Sequence, residues 1–336
     1  MTDSQSLEPK ATSRSGGVIR RLAAIPTPII FLGSIAIAVL VLWRSGDVGS
    51  VFDSLRDASP FLLLFGALLY LIGLFLLCLR WHSLVIMIHG SSNFGRAGEA
   101  FLTSVVINYA APIGLAVPAR AALTKRALGL SLTETSAVAL WEVGADVLVL
   151  AIGTLIWLAF GGWADSDVSL KGVSPLIMLA VAICAAIGLV GIAVLLKSVR
   201  TASIRSKVRA VLVYPGKSPR QAAISLGVTT IYWIVQGIVL GIMLSALDID
   251  PTPLLILGIT SLPILAGMLS PLPGGAGVRE TLMGGIARIH GVAVSPAIFA
   301  AVAYRLALFA SIPVMYLIFR LWLSFTKTPP IAPEEQ

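Results

Sequence analysis

Eight apolar segments, separated by short polar or charged connections, account for most of the chain. Several of them approach the roughly 20 consecutive apolar residues that a helix needs to cross a bilayer. An all-α fold is expected, because a lone segment inside a membrane satisfies all of its backbone hydrogen bonds only as a helix. The segments lie at 26–43, 60–79, 98–118, 132–160, 173–196, 221–247, 252–271 and 295–323.

The composition agrees with a polytopic integral membrane protein. The chain is 57% hydrophobic and 12% charged, and soluble domains carry about twice that charged fraction. The first 25 residues are polar and lack the apolar core of a signal peptide. We therefore expect a disordered cytoplasmic tail over 1–25, one transmembrane domain over 26–323 and a short cytoplasmic tail over 324–336. Within the domain, repeat-like halves are expected at about 60–160 and 221–323.

Two of the apolar segments are interrupted in a similar way. The first interruption contains Pro112 and Gly114 and ends at Arg120, and the second ends at Arg279. Paired Pro/Gly interruptions in corresponding halves of a membrane protein are typical of a transport site. The second interruption contains Pro271, Pro273, Gly274, Gly275 and Gly277.

The distribution of charge selects a topology. The connection 197–220 carries seven basic residues and no acid, so the positive-inside rule predicts that it is cytoplasmic. This holds if the segment around Pro112 enters and leaves the membrane on one face, and the second interrupted segment then re-enters from the opposite face. The pattern favours about six full spans and two re-entrant hairpins in an inverted repeat, with both termini cytoplasmic. Eight full spans are the alternative.

Two acids and an arginine lie within the predicted spans. Glu142 and Asp146 are four residues apart and share a helix face, and Glu142 lies roughly 16 Å from the start of its helix. Such acids are costly in hydrocarbon unless they are paired or face water. They form either a proton-linked or charge-compensating site, or the partners of a buried arginine that fix helix packing. Arg305 lies well inside the last span.

Arginines at the start of half-helices suit a phosphate or carboxylate group. Arg120 and Arg279 have this position, and Glu280, Glu142 and Asp146 are candidate partners for Arg279 and Arg305. Arg80 ends the second span, where it is either an interfacial anchor or a functional residue. The residues that we expect to contact a substrate are Asn108, Arg120, Gly274, Gly275, Gly277, Arg279 and Arg305, and those expected to balance charge or carry protons are Glu142, Asp146 and Glu280.

Other chemistry is not indicated. The three histidines lack metal-ligand spacing, and no nucleotide-binding or hydrolase motif is present. We therefore expect no metal and no cofactor. The basic charge is explained by topology, so nucleic-acid binding is not expected. Tyr232, Trp233 and Gln236 are interpreted as part of an aromatic belt at the membrane surface.

The second interrupted segment, Leu272-Pro-Gly-Gly-Ala-Gly-Val-Arg-Glu280, resembles a motif of the lysylphosphatidylglycerol synthase transmembrane-region family. Gly291 and Arg305 follow it as in that family. In the first half, Arg80-Trp-His, Asn108, Pro112, Gly114, Arg120, Gly129 and the Glu142/Asp146 pair agree, so that the resemblance covers about 26–323.

The resemblance implies a flippase-like domain that moves a lipid between leaflets, as a stand-alone member without the aminoacyltransferase domain. We expect a transporter rather than an enzyme, acting on phospholipids, hopanoids or polyprenyl-linked lipids in the cytoplasmic (inner) membrane. The alternatives are a transferase acting on a lipid-linked substrate and a non-transporting partner of a lipid-modifying enzyme. Membrane lipids, such an enzyme and a second copy of the chain are the partners that we consider.

Overall fold

The computed structural model describes residues 56, 58–110, 122–160, 213–270 and 277–326, except for the side chains of 106–110 and 132. The predicted spans 26–43 and 173–196 lie outside these residues. The principal elements of the described chain are seven α-helices. They are α1 (Pro60–His89), α2 (Phe94–Ala110), α3 (Leu132–Ala159), α4 (Pro219–Ser245), α5 (Pro253–Leu269), α6 (Val278–Ile289) and α7 (Val294–Phe325).

Local sequence signals set several helix ends. Helix α1 starts with Pro60 after the N-cap Ser59 and stops at Gly90, whose φ of 88° is left-handed. Helix α3 starts with the capping box that the sequence predicts. The Ser131 hydroxyl accepts the Glu134 N–H at 3.2 Å, and the Glu134 carboxylate accepts the Ser131 N–H at 2.8 Å.

The predicted C-terminal end of the second span is wrong. The second span was expected over 60–79, with Arg80 at its end, but α1 continues unbroken to His89. Its 30 residues make a helix about 45 Å long. Arg80 is therefore an interior residue of α1, and it is 3% exposed. The interpretation of Arg80 as an interfacial anchor is wrong, because partners on another helix compensate its charge inside the bundle.

The outer surface of the described helices is apolar. Within the part of the chain that the structure describes, four helices are long and apolar enough to cross a membrane, namely α1, residues 133–159 of α3, α4 and α7. Their exposed large hydrophobic side chains follow helical spacing, whereas five charged side chains are buried between the helices, namely Arg80, Glu99, Glu142, Asp146 and Glu280. This distribution is the one that a bilayer favours and water does not. On α1 the exposed series is Phe61, Leu64, Phe65, Leu68, Ile72 and Phe75.

The two halves share one order of helices. A long helix, a helix of 17 residues, a shorter helix and another long helix follow each other in both. In the first half the shorter helix spans 122–128, and in the second it is α6. Both shorter helices are followed by a left-handed glycine, Gly129 with φ 71° and Gly291 with φ 73°. The similarity between the two interrupted segments therefore extends to the backbone.

Packing between the halves follows the same symmetry. Helices α1 and α4, the first long helix of each half, form the most extensive contact among the described helices. Helix α5 packs on α3, and its counterpart α2 packs on α7. The 17-residue helix of each half thus lies against the last long helix of the other half. This exchange ties the two halves into one bundle.

Glycines allow close approach at the corresponding crossings. A Cβ added to Gly258 of α5 would lie 2.6 Å from Nε1 of Trp157 on α3. A Cβ at Gly98 of α2 would overlap the Phe319 ring on α7. The sequence also indicates close packing at Gly237 and Gly241, and this is confirmed, since a Cβ at either would press on a side chain of α5.

We predict that Gly258→Ala destabilises the protein, because the added methyl group overlaps the Trp157 ring. A clash in a packed core costs about 1–3 kcal/mol. Gly227→Ala is the matched control, since Gly227 lies in α4 with nothing within 4 Å of its added Cβ. Alanine is a better helix former than glycine by about 1 kcal/mol. Thermal unfolding in detergent should show a lower Tm for Gly258→Ala and an equal or higher Tm for Gly227→Ala. Equal values for both variants would contradict the close packing.

Candidate functional site

A buried arginine joins two carboxylates at the contact between α1 and α3. Arg80 donates from Nη1 to Asp146 Oδ1 at 2.6 Å and from Nη2 to Glu142 Oε1 at 2.8 Å. The four-residue spacing of the acids places both on the helix face that meets α1. Of the two interpretations of this acid pair, the structure supports neutralisation of a buried arginine. The partner, Arg80, is separated from the acids by more than 60 residues in sequence.

The network continues onto α4. Trp233 Nε1 donates to Asp146 Oδ1 at 2.9 Å, and the Tyr232 ring centroid lies 6.0 Å from the Arg80 guanidinium. The interpretation of Tyr232, Trp233 and Gln236 as an interfacial belt is therefore wrong. These residues face the interior, where the Trp233 indole N–H and the Gln236 amide oxygen have hydrogen-bond partners. The spacing of Trp233 and Gln236 on one helix face was the available signal, and hydropathy alone did not reveal their partners.

Gln236 links α4 to the last helix. It is fully buried, and its Oε1 accepts a hydrogen bond from the Tyr304 hydroxyl at 2.5 Å. The Tyr304 ring also contacts Tyr70 of α1 edge-on, with ring centroids 5.3 Å apart. Tyr304 is thus held by groups from two other helices, so its ring has a fixed position. Tyr304 is not among the site residues that the sequence predicts.

Arg279 lies against this fixed ring. Its guanidinium carbon is 4.9 Å from the Tyr304 ring centroid, a distance at which the cation interacts with the ring face. Its Nη2 is buried and has no hydrogen-bond partner among the described residues. No ion pair of Arg279 is found within the described ranges either. The expected pairing of Arg279 with Glu280, Glu142 or Asp146 is not present in this structure.

Glu280 instead pairs with Arg305, as the sequence suggested for that arginine. Glu280 Oε1 lies 2.8 Å from Arg305 Nη2, which joins α6 to α7. Its other oxygen, Oε2, accepts the backbone N–H of Gly277 at 2.8 Å. Gly277, with φ 81°, immediately precedes α6. The N–H of Gly277 was expected to bind a substrate, but here it is bound by Glu280.

Part of the predicted site lies outside the described residues. This applies to Arg120, Gly274 and Gly275 and to the predicted breaks Pro112, Gly114, Pro271 and Pro273. Asn108 belongs to α2, and its side chain is not described. Among the residues that are described, no group of histidine, cysteine or acidic side chains has the arrangement of a metal site.

The interior arginines differ in how they are neutralised. Among the described residues, Arg80 pairs with two carboxylates and Arg305 pairs with Glu280, whereas Arg279 lies on an aromatic ring and has one buried N–H group without an acceptor. A buried charge is costly unless it is paired. Within the described part of the bundle, Arg279 is therefore the arginine best prepared to accept an anion. This arrangement is suited to recognition of a negatively charged group.

The fold and these buried charges define a class, the multi-pass helical membrane proteins with ionised groups in the interior of the bundle. A model of one family, described as the lysylphosphatidylglycerol synthase TM region, matches residues 31–315. The chain belongs to this family, which associates it with the handling of membrane lipids. No curated protein and no solved structure matched the chain.

We predict that Arg80→Gln strongly destabilises the protein, because it removes the cation that pairs with the buried Glu142 and Asp146. Breaking a buried ion pair on one side costs about 3–5 kcal/mol. The triple variant Arg80→Gln, Glu142→Gln, Asp146→Asn removes all three charges and should recover much of the loss. The yield of monodisperse protein and its Tm in detergent measure both effects. A triple variant that is no more stable than Arg80→Gln alone would show that charge compensation is not what stabilises this contact.

Proposed function

We propose that this protein moves a lipid with an anionic or phosphate-containing head group between the leaflets of the cytoplasmic membrane. The head group would enter the interior of the bundle beside α6 and α7, while the acyl chains stay among the lipids that surround the apolar outer faces. Phospholipids and polyprenyl- or hopanoid-type lipids fit this description. In this proposal the protein is a transporter and not an enzyme.

The state of Arg279 is the observation that carries the proposal. One terminal nitrogen of this guanidinium is buried and has no acceptor among the described residues. The Tyr304 ring holds the guanidinium plane in place. A phosphate oxygen would supply the missing acceptor and a compensating charge in one contact. Arginine suits this role because its planar N–H groups match the geometry of phosphate.

The position of Arg279 adds to this preference. It is the second residue of α6, where the free backbone N–H groups of a helix start make the surroundings favourable for an anion. The sequence just before it contains the Pro/Gly break at 271–277. Non-helical backbone at membrane depth is tolerated where it is enclosed by protein or lines a cavity. In this proposal, the Pro/Gly break lines a head-group cavity that Arg279 borders.

Short helices support the re-entrant topology on which transport would rest. Helix α5 has 17 residues and a length of about 26 Å, less than the hydrocarbon thickness of about 30 Å. It packs on the 12-residue α6, which returns toward α7. Two such hairpins, one in each half and inverted relative to each other, would meet near the midplane. Rocking of one half against the other would then expose the head group to alternate sides.

We predict that Arg279→Gln abolishes most lipid flipping. A hydrogen bond to a charged group contributes about 1.5–3 kcal/mol, which corresponds to about a ten- to hundredfold loss of binding. Proteoliposomes with fluorescent phospholipids and a polyprenyl-phosphate analogue measure the rate at which each lipid changes leaflet. Arg288→Gln is the matched control, because Arg288 lies on the same helix with an exposed side chain.

The two variants separate the possible outcomes. Flipping that survives in Arg288→Gln and disappears in Arg279→Gln supports the proposal. Unchanged flipping in Arg279→Gln would remove Arg279 from the substrate path. If folded wild-type protein flips none of these lipids, the transport proposal fails, and product formation or a co-purifying enzyme would then favour the transferase or the partner alternative.

We also predict that Asp250 and Ala293 lie on the same, external side of the membrane. Both residues are exposed and flank the α5–α6 hairpin. Single cysteines at these positions, in a background in which Cys78 and Cys184 are replaced by serine, should react with a membrane-impermeant maleimide from the outside. Labelling of one of these two positions from the outside, and of the other only after the membrane is opened, would favour eight full spans. A cysteine at Lys217, expected on the cytoplasmic side, is the control for sidedness.

A further inference from the structure

Glu280 binds two of the donors that a lipid phosphate would use. One of its oxygens contacts Arg305 Nη2 and the other accepts the Gly277 N–H, each at 2.8 Å. Arg305 and Gly277 are both candidate head-group contacts. A carboxylate and a phosphate use the same kind of donor, an arginine fork or a free backbone N–H at a helix start. Glu280 therefore resembles a bound anion supplied by the protein itself.

The Arg305–Glu280 pair is largely buried, so each charge depends on the other for compensation. The side chains of Arg305 and Glu280 are 12% and 9% exposed. An arginine at this depth is costly without a counter-charge. Glu280 supplies that charge, so a side chain of the protein itself compensates Arg305. A substrate phosphate would compensate the same guanidinium equally well.

Glu280 pairs with Arg305 and not with its sequence neighbour Arg279. It adjoins Glu280 in sequence, yet its guanidinium lies on the Tyr304 ring instead of pairing with that carboxylate. Two arginines thus border the contact between α6 and α7, one paired with Glu280 and one without a carboxylate partner among the described residues. An anion that binds beside Arg279 would arrive next to a carboxylate of the same sign.

We propose that Glu280 is a resident anion that competes with the lipid phosphate for Arg305 and the Gly277 N–H. This inference rests on the proposed function. The phosphate first binds Arg279, and repulsion between the two anions then moves Glu280 away from Arg305. When the head group leaves, Glu280 returns. Competition of this kind lowers the affinity for the substrate and so allows its release, which a transporter requires.

A purely structural pair between α6 and α7 makes the opposite prediction for binding. If Glu280 only holds the helices together, its loss loosens the site and weakens binding of an anion. If Glu280 competes, its loss removes a competing anion from Arg305 and strengthens binding. Glu280→Gln distinguishes the two, because the amide oxygen can still accept the Gly277 N–H while the negative charge is gone.

The test is titration calorimetry of the full chain in a non-ionic detergent with dihexanoyl phosphatidic acid as the probe. Dihexanoylglycerol, which lacks the phosphate, reports binding of the chains alone. We expect Glu280→Gln to lower the Kd for the phosphatidic acid about tenfold, the effect of removing one charged competitor. Glu280→Asp, whose shorter side chain cannot reach both donors, should have an intermediate affinity.

Glu99→Gln is the matched control. Glu99 forms the other described acid–arginine pair that involves α7, with Arg320, but it lies on α2 and has no contact with α6 in that pair. Its loss should leave the Kd unchanged even if the Tm falls. The Tm of each variant in the absence of lipid reports whether it is folded.

The possible outcomes test the competitor role of Glu280 and the proposed transport function separately. Tighter binding in Glu280→Gln and wild-type binding in Glu99→Gln support the competitor. Unchanged or weaker binding in folded Glu280→Gln overturns it, and if the wild type flips lipids the proposed function survives that result. If no variant binds the phosphatidic acid and the wild type flips no lipid, the proposed function fails and the competitor role fails with it.

Discussion

The structure depends on compensation of charge in an environment without water. Arginines and carboxylates that lie between apolar helices must find partners within the protein, because the surrounding lipid offers none. The Arg80 network meets this requirement by joining α1, α3 and α4. Since its members come from both halves of the chain, the same contacts that neutralise the charge also fix how the halves meet. Because the outer faces contact lipid, charged side chains are favoured only in the interior of the bundle.

The remaining interior charges concentrate at α6 and α7, in one half of the internal repeat. The two halves have the same helix order and exchange their 17-residue helices, so the contacts of one half have counterparts in the other. The charges do not follow this symmetry. Two carboxylates neutralise Arg80 in α1, whereas in the second half a single carboxylate, Glu280, adjoins both Arg279 and Arg305. This asymmetry leaves Arg279 without a carboxylate partner among the described residues, which makes its surroundings suitable for an anion.

The sequence predicts local features well and distant partners poorly. Hydropathy and capping signals locate α3, α4, α5 and α7 to within two residues, because these signals act within one helix turn. The predicted end of α1 was wrong. A charged residue in the sequence indicates a membrane boundary as long as its partner on another helix is unknown. The same reason applies to Trp233 and Tyr304, whose roles arise from contacts between helices far apart in the chain. The acid pair was visible from its spacing, but its partner Arg80 was not.

The central claim is that the interior guanidinium of Arg279 receives the phosphate of a lipid. Its most direct test is solid-state NMR of the protein in bilayers with arginine labelled with ¹⁵N and a lipid that carries its natural ³¹P. The account predicts phosphorus dephasing of an arginine resonance that disappears in Arg279→Gln and persists in Arg288→Gln. Dephasing that is identical in wild type and Arg279→Gln would place the lipid phosphate at other arginines and would contradict the account.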